Sequence, residues 1–394
     1  MPFFNRHFFE EKILNQNLGP LRALRILAMT LILLLGAEVW VRTHTLYDFD
    51  PVQRFQSIFS ASELPPSAKQ VGEALDFVRT HAQAGDIVLI GDSILNGTHV
   101  PNRSTPASVI RDYLKSKNQN GKVWDMSMVG AEPSTYLALL DRLGPLDGVL
   151  VLANVSLKLV VNPNDAALYF PEFWAELETW STSSPEAREG LKAVSEHWYE
   201  RFKDAHRAYG DNVQEARASA WINSHISLLT LDHWLRYQYT TDAWPKYFTK
   251  SFLGEKVYPA KAYDVIWGER PHEDPSIILN RLKDAEDSFA TLLPSGDPLW
   301  RSYLTFLDRM EKRGTLGVVS LHTVSPYAIR HLPEPQRTKT MQAYEAFRKP
   351  AHERKLQLTE PSTYMPEQEY ADLDHYGSVG NRRWILMILQ TIGR

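Results

Sequence analysis

The chain contains no cysteine. That excludes disulfides, thiolate metal sites, a cysteine nucleophile and a lipidated-cysteine anchor, and it leaves the redox compartment open. An excess of one charge is also lacking. Lys and Arg number 43 against 47 Asp and Glu, a net charge of −4, so nothing calls for nucleic acid as a partner. There is no Gly-x-Ser-x-Gly elbow, no phosphate-binding Gly-rich loop ending in Lys-Ser/Thr, and no His-Glu-x-x-His. No motif implies a cofactor or a bound metal; His197, His206, His225 and His233 are scattered through an aromatic region, where surface or helix-capping roles are read ahead of a metal site.

What is present begins at the amino end. Arg6, Lys12, Arg22 and Arg25 precede the apolar run from Ile26 to Ala37, with Glu38, Trp40 and Arg42 following. Counted from about Leu21 through Val41, the segment reaches the roughly 20 residues a bilayer requires. A basic flank followed by an apolar run is the pattern of a segment inserted with its start in the cytoplasm. The expectation is a cytoplasmic stretch over 1–20, a single-pass signal-anchor over 21–42 in the inner (cytoplasmic) membrane, and an extracytoplasmic remainder. A signal peptide cleaved near Gly36-Ala37 is the alternative, and a buried core helix is disfavoured because no amphipathic stripe is visible. Residues 43–66, ending in Pro65-Pro66, read as a connector.

Beyond it the pattern is α/β. A helix over Ser67 to Ala82 leads to Ile87-Val88-Leu89-Ile90 and then Gly91-Asp92-Ser93, a buried strand running into a tight turn. A helix from Pro106 to Lys117, a strand from Lys122 to Met128, a helix from Thr135 to Leu143 and an apolar strand from Gly148 to Asn154 follow. Strands alternating with helices through short loops signify a parallel sheet covered on both faces. Residues 67–164 thus form a first part of one domain. Residues 165–299 interrupt it with a helix-leaning stretch holding Trp174, Trp180, Trp198, Trp221, Trp234, Trp244 and Trp267. This is read as a helical insertion or cap whose tryptophans either bury their own helices or stack on sugar rings. Residues 300–394 complete the domain, with a helix over Trp300 to Arg313, a strand over Gly314 to His322, a helix over Pro335 to Glu353, an edge strand over Lys355 to Leu358 and a terminal helix from Arg383.

Ser93 falls at the carboxyl end of a strand, where open α/β sheets place reacting groups. A serine hydroxyl needs a base, and a carboxylate on the far ring nitrogen fixes the tautomer of that base. Asp372 and His375, three residues apart ahead of the last helix, supply such a pair. The N–H of Ser93, that of Gly130 and the side-chain amide of Asn154 each follow a successive strand, and they are the candidate donors for an oxyanion. His99 and His322 are rival bases without an aspartate at the right offset, and Asp374 is expected to point away from His375.

Gly91-Asp92-Ser93, Gly130, Asn154 and Asp372-x-x-His375 resemble the four ordered motif blocks of the SGNH (GDSL-like) hydrolase superfamily. The resemblance implies a flavodoxin-like three-layer α/β/α fold and serine esterase or acyltransferase chemistry. By it Ser93 is the nucleophile, His375 the base, Asp372 its orienter, and Gly130 and Asn154 complete the oxyanion hole. The chain departs from the commoner pattern with Ile94 directly after the serine and Leu-Ala-Asn-Val around Asn154. Its layout is similar to the alginate-type O-acetyltransferases and the D-alanyl-lipoteichoic acid esterification proteins, which pair an anchor with an extracytoplasmic domain. The implied substrate is a cell-surface polysaccharide or similar polymer. For a transferase, the implied partner is a membrane protein that passes acyl groups across the bilayer. A non-catalytic scaffold or glycan-binding subunit of an envelope complex is the alternative of another class.

Overall fold

A computed structural model describes residues 20–44, 68–97, 100, 104–128, 130–157, 177, 180, 184–202 and 292–393. The connector over 43–66 and most of 165–299 lie outside these, as does His99. Helix α1 (Pro20–His44) belongs to a unit of its own. No residue of its apolar window Pro20–Val39 is buried. At about 1.5 Å per residue those 20 residues measure about 30 Å, long enough to cross a bilayer or to act as a signal sequence.

The second unit is α/β. Helix α2 (Ala68–His81) precedes β1 (Ile87–Ile90), the single turn α3 (Ser93–Asn96), α4 (Pro106–Ser116), β2 (Val123–Asp125), α5 (Pro133–Leu143) and β3 (Leu150–Ser156). Then come α6 (Pro185–Phe202), α7 (Pro298–Lys312), β4 (Gly317–His322), α8 (Pro326–His331), α9 (Glu334–His352), β5 (Gln357–Thr359) and α10 (Ser378–Thr391). The five strands form one sheet in the order β2-β1-β3-β4-β5, and every pairing is parallel. Ile90 pairs with Ala153 and Asn154 with Ser320, so the ends of β1, β3 and β4 lie at one edge.

Side chains alternate across each strand, which divides the core. Val88, Ile90, Val151, Ala153, Val319 and Leu321 pack with residues of α2, α5, α6, α7 and α9. Ile87, Leu89, Leu150, Leu152 and Val318 pack with α3, α4 and α10. Both sets are buried, which is why these strands read as unbroken apolar runs.

Several elements differ from the sequence expectation; β3 runs on to Ser156, so Asn154 lies inside it, and β4 begins at Gly317 after a 3-10 turn over Gly314–Leu316. The second strand stops at Asp125, because the Asp125 carboxylate accepts the N–H of Ser127 at 3.1 Å and turns the chain. Helix α8 occupies the stretch between the expected strand and the expected helix over Pro335 to Glu353; Ser325 caps it by accepting from Ala328, and proline suits the first helical position. Helix α10 starts at Ser378, five residues before the expected Arg383. Within the stretch read as an insertion, Ala187, Leu191 and Val194 of α6 are buried in the main core, against α5 and α7.

Candidate functional site

The site grows out of the β1 terminus. Asp92 caps α3, its Oδ1 accepting from the N–H of Ile94 at 2.9 Å and from Asn154 Nδ2 at 2.7 Å. Gly91 is required by space: a Cβ there would lie 2.9 Å from the Leu95 side chain and 3.1 Å from Asn154 Cβ. The strand end, the turn and Asn154 are thereby locked together. Ser93 is left at the first helical position, where its N–H has no intrahelical partner.

Ser93 Oγ lies 2.7 Å from His375 Nε2. On the other side of the ring, Nδ1 is 3.0 and 3.1 Å from the two oxygens of Asp372. Asp372 also accepts the backbone N–H of Asp374 at 3.1 Å and of His375 at 2.9 Å, so one carboxylate shapes the turn and orients the ring. The turn is closed by Ala371 N–H donating to His375 C=O at 2.7 Å and by an antiparallel bridge between Tyr370 and Tyr376. The N–H of Ser325 donates to Leu373 C=O at 2.6 Å, tying the turn to the end of β4.

Asp374 does not point away from His375. Its Oδ1 lies 3.2 Å from Nδ1, and its side chain is buried. The adjacent position made a divergent side chain the natural expectation. The tight turn around Asp372 reverses the backbone and brings both carboxylates to one ring nitrogen.

The electrostatics follow from this geometry. Burial alone pushes the His375 imidazole down, but the Asp372 and Asp374 carboxylates outweigh it and raise it to about 10. Burial works against the Asp372 carboxylate too, and the facing imidazolium overrides it and holds the group below its usual range. The raised imidazole supports the fold fully below its unfolded value of about 6.5, and that support is lost as pH rises through about 10.

His322, the rival base at the end of β4, is built into the core. Its ring packs edge-on to Trp384 at 4.6 Å and tilted against Tyr376 at 5.4 Å. Nε2 lies 3.2 Å from Ser320 Oγ and Nδ1 3.3 Å from the Tyr376 hydroxyl. Burial pushes it down to about 3, so it is neutral.

Gly130 follows β2 in the left-handed region, at φ 77°, a conformation glycine adopts without strain. The preceding loop is fixed to the Ser93 turn. Met128 N–H donates to Gly91 C=O at 2.8 Å and Asn96 Nδ2 to Ser127 C=O at 3.2 Å. Asn96 is a residue beside the Ser93 turn that motif reading passed over. Its signal is a polar residue on the buried side of α3. Asn154 gives one amide hydrogen to Asp92, and the amide carries a second.

Asp372, Asp374 and His375 offer ligand atoms within 4.8 Å of one another. A metal held there would take the Nδ1 lone pair, whereas in the hydrogen-bonded arrangement that nitrogen carries a proton between two carboxylates. The arrangement can move a proton from Ser93 to a ring whose far side is anchored by anions. Comparison of the chain with models of known families and with curated proteins returns no match.

Proposed function

We propose that the chain is a membrane-anchored serine ester hydrolase or O-acyltransferase of the SGNH type, with Ser93, His375 and Asp372 as its triad. The observation that carries this reading is the unbroken line from Ser93 Oγ through both nitrogens of His375 to Asp372. Ser93 Oγ attacks an ester carbonyl while Nε2 takes its proton, and Asp372 stabilises the imidazolium that forms. The N–H groups of Ser93 and Gly130 and the second amide hydrogen of Asn154 are assigned to the oxyanion. His375 returns the proton to the departing alkoxide, leaving an acyl-serine. Water or a sugar hydroxyl, deprotonated by the same nitrogen, then resolves it.

The strand order 2-1-3-4-5, with helices packed on both core clusters, supports a three-layer flavodoxin-like arrangement for the domain. Apart from α6, which belongs to the core, residues 165–299 serve in this reading as the insertion that selects the acceptor. The apolar α1 and the preceding basic residues support an anchor with the domain outside the cytoplasm. The substrate class that fits is an ester on a cell-surface polysaccharide or polymer. A transferase would draw its acyl group from a membrane partner.

Labelling with a serine-directed fluorophosphonate at mildly alkaline pH tests the assignment. Wild type is expected to label on the peptide containing Ser93, and Ser93→Ala to label at background. A folded wild type that stays unlabelled would mark the protein as a non-catalytic scaffold.

A second expectation concerns pH. The base works only when neutral, so a group raised towards 10 places the acid limb of kcat/KM above the ordinary histidine value of about 6.5. Activity should rise with pH through the neutral range. A midpoint at or below about 6.5 would show that the two carboxylates do not raise the base.

A further inference from the structure

We infer that Asp374 is a second positioning residue for His375, its carboxylate sharing the Nδ1 hydrogen with Asp372 and so setting the pH range in which Nε2 accepts the Ser93 proton. The inference rests on the reading of Ser93 and His375 as an acyl-transfer pair. It goes beyond that reading because three residues suffice for the triad, and a fourth group, the buried carboxyl of Asp374, reaches the same ring.

Three observations converge on it. Asp374 Oδ1 lies 3.2 Å from Nδ1, against 3.0 Å for Asp372. Both carboxylates are buried, at 6% and 4% exposure, so water screens neither. The Asp374 N–H donates to Asp372 Oδ1, so the turn that orients the first carboxylate also delivers the second.

Two like charges in one buried turn repel each other unless a cation stands between them. The ring is that cation when it is protonated. Two anions therefore stabilise the imidazolium of the tetrahedral intermediate more than one would, and they deplete the neutral base at neutral pH. The other groups facing the ring do not reverse this. His322 on β4 is neutral and Ser93 carries no charge at rest.

The test is an NMR titration of the His375 imidazole in the full chain, run beside the pH dependence of kcat/KM. In Asp374→Asn both midpoints are expected to fall together by about one unit or more. Asp374→Glu, which keeps the charge on a longer arm, should fall between wild type and Asp374→Asn, and it carries the test if the amide variant does not fold. An unmoved NMR midpoint overturns the inference. So does a profile lowered uniformly at an unmoved midpoint, the mark of a packing role. The titration is readable without turnover, so failure of the parent reading shows separately, as absent Ser93 labelling.

Discussion

Replacing His375 by alanine is expected to lower turnover of an activated ester by about 10³-fold or more, with the folded state retained. The serine hydroxyl is almost wholly protonated at neutral pH, and Nε2 of His375, 2.7 Å away, is the base proposed for it. His322 cannot substitute, because its nitrogens face Ser320 and Tyr376 inside the core. The residual rate should come from the oxyanion donors and substrate binding alone. Asp372→Asn should lose less than His375→Ala and for a different reason: an amide facing Nδ1 permits the tautomer with its hydrogen on Nε2, which cannot accept the serine proton, and only Asp374 then opposes that tautomer. Steady-state kinetics on an aryl ester, with circular dichroism as the check on folding, decides both. A folded His375→Ala variant that loses less than about tenfold would remove His375 from the role of base.

Trp384→Ala is the substitution with the largest expected effect on stability, about 3–5 kcal/mol. Trp384 is fully buried on α10, its indole N–H donating to Ser320 Oγ at 3.1 Å and its ring edge-on to His322. Truncation leaves a cavity between α10 and the sheet and removes the donor that holds the Ser320 hydroxyl. The expected result is a large drop in the urea midpoint. The loss should extend to activity under conditions where the variant is still folded, because Tyr376, 5.6 Å from the indole, adjoins His375 in the chain. A loss below about 1 kcal/mol would show that the site can collapse around the missing ring.

The legible parts of the fold were those governed by local pattern. β1 and β3 declare themselves as apolar runs because a parallel strand is buried on both faces, and the Gly91-Asp92-Ser93 turn declares itself by residue type. The Asp372–His375 spacing was legible as well, since one turn of backbone forces the pair together. Asp374 was not, because the direction of its side chain is set by the hydrogen bond from its own N–H to Asp372. The true extent of α10 was hidden for a related reason. Ser378 to Asn381 are weak helix formers, held by tertiary contact: a Cβ on Gly380 would lie 2.5 Å from the Glu369 carbonyl oxygen. The place of α6 in the core was masked by the tryptophan content of its surroundings, although Ala187, Leu191 and Val194 carry an ordinary helical period.

Ser93 and His375 are separated by 282 positions in the chain. During synthesis, at about 5–20 residues per second, the hydroxyl leaves the ribosome many seconds before its base exists. On the proposed reading, Ser93 is throughout that interval an alcohol without a base. Late closure of this kind would act as a built-in latch. A chain interrupted between positions 93 and 375 carries the Ser93 turn without its partner, and the pair is complete only when the turn around Asp372 docks beside the end of β1.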